Sequence, residues 1–423
     1  MSRIVVAHAG KQHSFKTAEY LIRGGHSVTY ITTVYDKKGS VTDFIKRFLG
    51  SKNLNRANGR KSKVITDEQV LQFFEIFGLI SLLLMRIDKT RFFYTRWNKL
   101  LFYLFSRKVA MYCKKNNVDI LIMYDGQAAE TFKRLQETNV KVILDMSAAS
   151  LPYMKKIYEK DIIINPKFSD NLKKYTDFIF DESNQKKARQ EIELSTSILV
   201  PSKFSLKSLT EFITDPTKIK ICPYGFEKVD STILNRNESG RKDCLNIVFT
   251  GTVNQRKGIS YLLEAVDELR EKYPEKTIRL TLIGKYDEHD PILIPYTKTN
   301  NFVGMISHDS LLTELVKNDL FVFPSLSDSF AFSVIEALSV GLPVICSNNT
   351  GASDFISNGE NGHIFETQNK NHLMEILELY LINNEKLEEL KVKTKMSIES
   401  LSNTWDAYGA NLLEIVNEVE QLK

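Results

Sequence analysis

The stretch Val322–Ile356 constrains the fold of this 423-residue chain more than any other, because it writes out a strand, a polar loop, a helix and a second strand in one run. The apolar segment Leu320–Phe323 closes at Pro324 and predicts a buried strand. An amphipathic helix follows the loop, with Val334, Ala337 and Leu338 on one face, and Gly341-Leu342-Pro343 stops it. Val344–Cys346 then begins another strand. A helix that opens at a strand end offers unbonded amides and the positive end of its dipole, which suits a phosphate. Asp328 stands just before that helix and Glu336 about two turns on, as carboxylates able to hold the hydroxyls of a sugar or ribose. The same residues admit a local alternative, in which Ser333 caps the helix and Glu336 completes a capping box.

The alternation recurs along the chain and predicts two doubly wound α/β halves. Strands are expected at Ile4–Ala7, Val28–Thr32, Val118–Tyr124, Val140–Leu144, Ile198–Val200 and Ile219–Pro223. A polar linker is expected at Asp230–Lys242, and further strands at Asn246–Thr250, Arg279–Ile283, Phe302-Val303, Leu320–Phe323 and Val344–Cys346. No short tandem repeat is visible. Cys113, Cys222, Cys244 and Cys346 lie far apart and form no CxxC pair, which fits a reducing compartment without structural zinc. The first strand begins at Arg3 with no signal-like apolar stretch before it, and no segment has the apolar length of a membrane span, so a cytoplasmic protein is expected.

Net charge is only +5, but between Ser40 and Lys115 sixteen Lys and Arg face five Asp and Glu. Aromatics interleave with these charges, among them Phe44, Phe48, Phe73, Phe77, Phe93, Trp97 and Phe105. Two readings of this helical insert stand side by side. It suits the surface of an anionic membrane, or its aromatics pack into their own domain and leave the cations solvated. No nucleic-acid-binding motif accompanies it, and no nucleic-acid partner is expected.

The segment Asp328-Ser329-Phe330-Ala331, Glu336-Ala337 and Gly341-Leu342-Pro343-Val344-Ile345 resembles the carboxylate-x7-carboxylate signature of the GT-B glycosyltransferases, in particular the retaining family 4. The usual wording there is Glu-Gly-Phe-Gly, then Glu-Ala, then Gly-Leu-Pro-Val-Ile. Phe249-Thr250-Gly251, Arg256-Lys257-Gly258 and Leu262-Leu263-Glu264-Ala265 resemble the strand, loop and helix that open the family's donor domain. Lys257 falls at the family's diphosphate-binding lysine. The arginine usual after the glycine is Thr252 here, and Arg256 is positioned to supply the charge. Leu282-Ile283-Gly284 and Phe302-Val303-Gly304-Met305-Ile306 look like the strand ends beside the nucleotide base. Val200-Pro201-Ser202 and Pro223-Tyr224-Gly225-Phe226 resemble the end of the acceptor domain and the crossing into the linker. The loop matches neither a Walker P-loop nor GxGxxG.

The resemblance implies a GT-B fold: an acceptor domain at 1–225 with the basic aromatic helical insert at about 40–115, a nucleotide-sugar domain at 226–400, and a helix at 401–423 packing back on the first domain. It implies retaining, metal-independent transfer from a UDP-, GDP- or similar nucleotide sugar to a glycan, lipid-linked or other hydroxyl acceptor, as in cell-surface polysaccharide synthesis, without a cofactor. Lys257, Arg256, Asp328 and Glu336 would carry the chemistry. Gly251, Thr252, Gly284, Val303, Met305, Ser329, Phe330, Ala331, Phe332 and Ser333 would line the donor. Apart from the resemblance, the loop His8–Ser14 closes the first strand where open α/β sheets bind ligands: Gly10 allows close approach of a phosphate or sugar, and His13 reads as a contact to donor or acceptor or as polar surface. Asp125 and Asp145 close two strands on the same rim, to hold an acceptor hydroxyl or to cap the next helix. No Asp-x-Asp is placed to hold a metal; Asp287 and Asp290 read as a loop. Glu191 and Glu193 read as structural, and Trp405 and Tyr408 as core anchors of the last helix. The departures at Asp328, Ser329, Ala331 and Thr252 leave open a sugar-nucleotide or glycan binding protein of the same fold that has lost catalysis.

Overall fold

The computed structural model describes residues 2–48, 50, 54, 57–227, 244–398 and 404–422. Two parallel sheets organise them. The first contains β1 (Arg3–Ala7), β2 (Ser27–Thr32), β3 (Val70–Gln72), β4 (Ile120–Tyr124), β5 (Lys141–Asp145), β6 (Ser197–Val200) and β7 (Ile219–Ile221), in the order β3-β2-β1-β4-β5-β6-β7. The second contains β8 (Cys244–Thr250), β9 (Thr277–Ile283), β10 (Asn301–Gly304), β11 (Leu320–Phe323), β12 (Val344–Ser347) and β13 (Gly362–Phe365), in the order β10-β9-β8-β11-β12-β13. Helices cover both faces of such a sheet, so its central strands must be apolar throughout. Ile120–Tyr124 and Leu320–Phe323 accordingly bury every residue.

In each sheet the order reverses beside the first strand, between β1 and β4 and between β8 and β11. Ligands bind outside the carboxyl ends of the strands at such points. The loop after β1 and the loops after β8 and β11 line one cavity between the two sheets. The helix Leu151–Ile164 of the first half closes against the second. Its Asp161 accepts from Gln255 Nε2 at 2.7 Å and Tyr261 Oη at 2.5 Å.

The last helix, Trp405–Gln421, returns to the first half. Tyr408 Oη and Thr17 Oγ1 lie 2.8 Å apart, and Tyr20 Oη donates to Asp406 at 2.7 Å. Phe226 and Thr404 form a parallel bridge where the chain crosses in both directions. Gly225 is required there, because a Cβ would stand 2.3 Å from the Trp405 backbone nitrogen.

Two expectations change. The insert is not wholly helical: Val70–Gln72 adds the edge strand β3 to β2, at a length too short to show alternation. β13, also unforeseen, pairs with β12. The expected linker, Asp230–Lys242, lies outside the described residues. The aromatics of the insert divide between the two readings. Trp97 stacks on Phe77 and donates to its carbonyl at 2.9 Å, and Phe105 is buried. Phe48, Phe93, Ile87 and Phe44 are instead 75%, 65%, 62% and 60% exposed. Among the described residues no helix is long and apolar enough to cross a membrane.

Candidate active site

The second-half wall of the cavity begins at β8. Gly251 follows it with φ near 140°, and Asn254 caps the short turn Gln255–Lys257 by accepting from the Lys257 amide. Gly258 ends the turn at φ 66°, where a Cβ would meet the Pro324 carbonyl oxygen at 1.8 Å. Only glycine lets this turn lie against the loop after β11, and the Leu326 amide donates to the Arg256 carbonyl at 3.2 Å. Lys257 and Asp328 are thereby brought into direct ionic contact. Burial lowers the pKa of the Lys257 ammonium against the pull of Asp328. Burial also opposes the charged form of Asp328, but Lys257 and then Arg256 outweigh it and hold its carboxyl below the usual range.

Asp328 turns inward. Its Oδ1 accepts from the amides of Ala331 at 2.8 Å and Phe330 at 3.3 Å. Ala331 takes φ 59°, and the helix Phe332–Ser339 starts with no side-chain cap. The capping box of Ser333 and Glu336 therefore does not form. Two of the amides expected to face a diphosphate, those of Phe330 and Ala331, are occupied, which leaves the helix start at Phe332 and Ser333 on the cavity.

Ser329, standing where the signature has glycine, joins the halves. Its Oγ donates to the Ser147 carbonyl at 2.5 Å, and its own carbonyl accepts from Ser202 Oγ at 2.7 Å. Glu336 lies apart from the cavity wall and faces His308 at 3.2 Å, with burial pushing its carboxyl up against that neighbour. Gly251, Gly284 and Gly304 form a continuous rim: the Gly284 amide donates to the Gly304 carbonyl at 2.8 Å, and a Cβ on Gly284 would sit 1.9 Å from the Gly251 carbonyl oxygen. Val303, Met305 and Thr252 are exposed along it. Asp287 and Asp290 accept from amides of their own loop.

Across the cavity, His13 precedes the helix Ser14–Arg23, and its Nε2 donates to Asp145 Oδ2 at 2.7 Å. That contact fixes the orientation of the ring. The remaining first-half expectations are corrected. Asp145 is 2% exposed and stands behind His13 rather than in the cavity. Asp125 accepts from the Ser147 amide and hydroxyl, both at 2.9 Å, and lines a different cavity of about 650 Å³ within the first half. Gly10 lies outside the wall, its amide donating to His8 Nδ1 at 2.8 Å.

Glu191 is structural, as read. It is buried and accepts from the amides of Gly126, Ala128 and Ala129. Burial nonetheless pushes its carboxyl up to about 7.

The cavity holds about 770 Å³, within the range of ligand sites. It joins His13 to Lys257, Asp328, Ser329, Phe330, Ala331, Phe332 and Ser333. It also includes Lys11, Lys16, Lys61 and Ser147, which the sequence did not single out, together with Tyr224 of the crossing segment and Trp405, which was read as a core anchor. Tyr224 sits 4.2 Å from the His13 ring and stacks with Phe332. Its hydroxyl, with Thr250 Oγ1 at the end of β8 and Ser327 Oγ beside Asp328, is buried without a hydrogen-bond partner among the described residues. Unpaired buried hydroxyls are uncommon in a closed core.

Residues 232–396 match the family of glycosyl transferases group 1. A capsular polysaccharide biosynthesis glycosyltransferase from Staphylococcus aureus is 29% identical over 238 residues, 49% of this chain and 61% of the relative. The chain spans about half the length of the curated relatives it matches. Over its whole length the fold is that of solved GT-B structures. A sucrose-phosphate synthase from Thermosynechococcus elongatus superposes with a TM-score of 0.61 at 15% identity, covering 99% of both chains. An Anabaena protein, HepE, solved in complex with UDP, gives 0.60 at 12% identity over 99% of this chain and 100% of its own. Residues 232–396 are thus similar to the glycosyl transferases group 1 family, within a chain whose fold is that of GT-B structures.

Proposed function

We propose that the chain is a glycosyltransferase of the retaining family 4 type, moving a sugar from a nucleotide-diphosphate sugar to a hydroxyl of a glycan or lipid-linked acceptor in polysaccharide or glycoconjugate synthesis. The observation that carries this reading is the meeting of Lys257, Asp328 and an uncapped helix start with His13 of the other half in one cavity. The S. aureus relative supports the polysaccharide context, and HepE, solved with UDP, supports a nucleotide donor.

The diphosphate lies against Lys257, Arg256 and the amides of Phe332 and Ser333. Arriving there, it takes the place of Asp328 on Lys257 and frees that carboxylate for the sugar hydroxyls. The ribose extends past the cavity wall to Glu336, which lies beside His308, and the rim at Gly251, Gly284, Val303 and Met305 holds the base. The bond between the anomeric carbon and the phosphate oxygen breaks while cations and dipoles stabilise the charge that develops. The acceptor oxygen bonds to the same face of that carbon, and its proton passes to the departing phosphate oxygen. His13, held by Asp145, orients the acceptor hydroxyl. No metal takes part, so activity persists in excess chelator; loss restored by manganese would contradict this.

The exposed aromatics and cations of 40–115 attach the protein peripherally to the anionic inner face of the membrane. Sedimentation with anionic vesicles should occur and fade with salt, and none at low salt would sink the attachment.

Transfer is tested by offering a panel of nucleotide sugars with and without acceptor and following nucleotide release. Selective release supports the reading. Tight nucleotide-sugar binding without release, while Lys257 stays locked to Asp328, would favour a binding protein.

A further inference from the structure

The first-half wall of the cavity carries more positive charge than its own carboxylates neutralise. Lys11, Lys16 and Lys61 all line it, with Glu19 as the acid beside them. Lys61 is paired with Asp67 at 3.2 Å. Lys16 lies 4.0 Å from Glu19, whose other contact is the Ser62 hydroxyl. Among the described residues, Lys11 reaches the carbonyl oxygen of Gly59, over the Phe15 ring, and pairs with no carboxylate.

Arg60, next in sequence to the wall residues Gly59 and Lys61 but not itself on the wall, is half-buried, and among the described residues no carboxylate pairs with it. Burial lowers its pKa and that of Lys11, and each cation adds to the other's difficulty or to that of a third, Arg60 acting on Lys11 and Arg86 on Arg60. Lys11 and Lys16 also stand at the start of the helix Ser14–Arg23, which no side chain caps. Cations are unfavourable at that end of a helix. Like charges gathered there, partly out of water, repel one another unless an anion joins them.

We propose that the acceptor is a phosphate-bearing molecule whose phosphate sits on the first-half wall at Lys11 and Lys16, with the Arg60 charge close behind Lys11. This rests on the glycosyl-transfer reading and names the acceptor's class. A phosphate monoester carries about −1.5 to −2 charge, which suits three cations with one shared acid better than a single carboxylate does. The two lysines offer mobile point charges, and the guanidinium behind them adds to the positive field. The same phosphate could belong to a soluble sugar phosphate or to a lipid, and the two sources are separable.

The experiment titrates inorganic phosphate, dodecyl phosphate and acetate into the full chain, following binding by calorimetry, for wild type, Lys257→Ala and the double variant Lys11→Ala/Lys16→Ala. Both variants alter side chains that reach into the cavity, and circular dichroism checks that they fold. Wild type should bind phosphate at a site that survives Lys257→Ala and weakens at least tenfold in the double variant, with acetate at least tenfold weaker. Tighter binding of dodecyl phosphate assigns a lipid-borne group, and equal binding a soluble one; in either case the double variant loses it. Unchanged phosphate binding in a folded double variant, or acetate binding as tightly as phosphate, overturns the proposal. Nucleotide release from the sugar panel is read separately, so failure of glycosyl transfer is distinguishable from failure of the phosphate site.

Discussion

The two walls of the cavity are built by opposite means. On the second-half wall, backbone lies on backbone. The turn at Gly258 touches the Pro324 carbonyl, Gly284 touches that of Gly251, and Asp328 is held by amides two and three residues ahead of it. On the first-half wall, side chains far apart in sequence reach for one another. His13 meets Asp145, Gln127 accepts from the Ala9 amide at 2.9 Å, and Lys11 meets the Gly59 carbonyl. A wall made of local backbone contacts must write its glycines and acids at fixed spacings. A wall made of long-range side-chain contacts leaves no such mark.

The glycines offer the sharpest way to break this contrast. Gly258→Ala places a methyl 1.8 Å from a carbonyl oxygen in a left-handed conformation and should cost on the order of 4 kcal/mol or more. Gly10→Ala meets only the His8 ring, at 3.2 Å, and should cost less than about 1 kcal/mol. Urea denaturation of the two variants measures the difference; equal costs would mean that both walls depend on backbone packing alike.

A slightly smaller effect concerns a buried acid of the first half that lies outside this cavity. Glu191 has a folded pKa near 7 against an ordinary 4.5, so the folded state holds a proton that the unfolded chain has released. The stability this supplies is full below about pH 4.5 and is lost as pH rises through about 7, a span worth about 3 kcal/mol. Denaturation midpoints should fall from pH 4.5 to 7.5, and Glu191→Gln should flatten that decline. An equally steep decline in the variant would place the titration elsewhere.

Turnover compares the walls directly. Lys257→Ala should reduce it roughly a hundredfold or more, the scale of losing one charge-stabilising donor. His13→Ala should reduce it about tenfold, the scale of one hydrogen bond. Asp145→Asn should act through His13 in the same direction. Near-normal turnover of Lys257→Ala would remove that lysine from the chemistry, and a larger loss at His13 would shift the centre of the reaction to the first half.

How much was legible follows the same division. The strands flanking both switch points, and the positions of Lys257 and Asp328, stood in the sequence because apolar runs and glycine spacings encode them. β3 did not, since Val70-Leu71-Gln72 is too short for a period and runs into Phe73-Phe74. Nor did the partner of Asp328: a motif places a carboxylate on a loop without saying which way it turns. Ser329 was visible only as a departure from glycine, and its bond to Ser147 explains what the hydroxyl does there. Asp125 and Asp145 both close strands of one sheet, yet β4 and β5 deliver them to different surroundings, which strand position alone does not separate.

The smallest effect tests the remaining departure. Ala331 occupies φ 59° at the helix start where the resembling signature has glycine. An L-residue in that conformation costs roughly 1–2 kcal/mol, whereas glycine there would give the unfolded chain about 0.4–1 kcal/mol more freedom. Ala331→Gly should therefore raise stability, by up to about 1 kcal/mol in urea denaturation. Its methyl is 5% exposed, so a loss of stability would mean that packing against the cavity wall outweighs the strain. The strain then belongs to the second-half wall alone, because the first-half loop from His8 to Ser14 shows no positive φ. A backbone held in this conformation keeps the Asp328 carboxylate over the amides of Phe330 and Ala331. If Ala331→Gly is more stable but slower in transfer, the rigid turn is what aims the helix start at the diphosphate, and the local wall owes its precision to that strain.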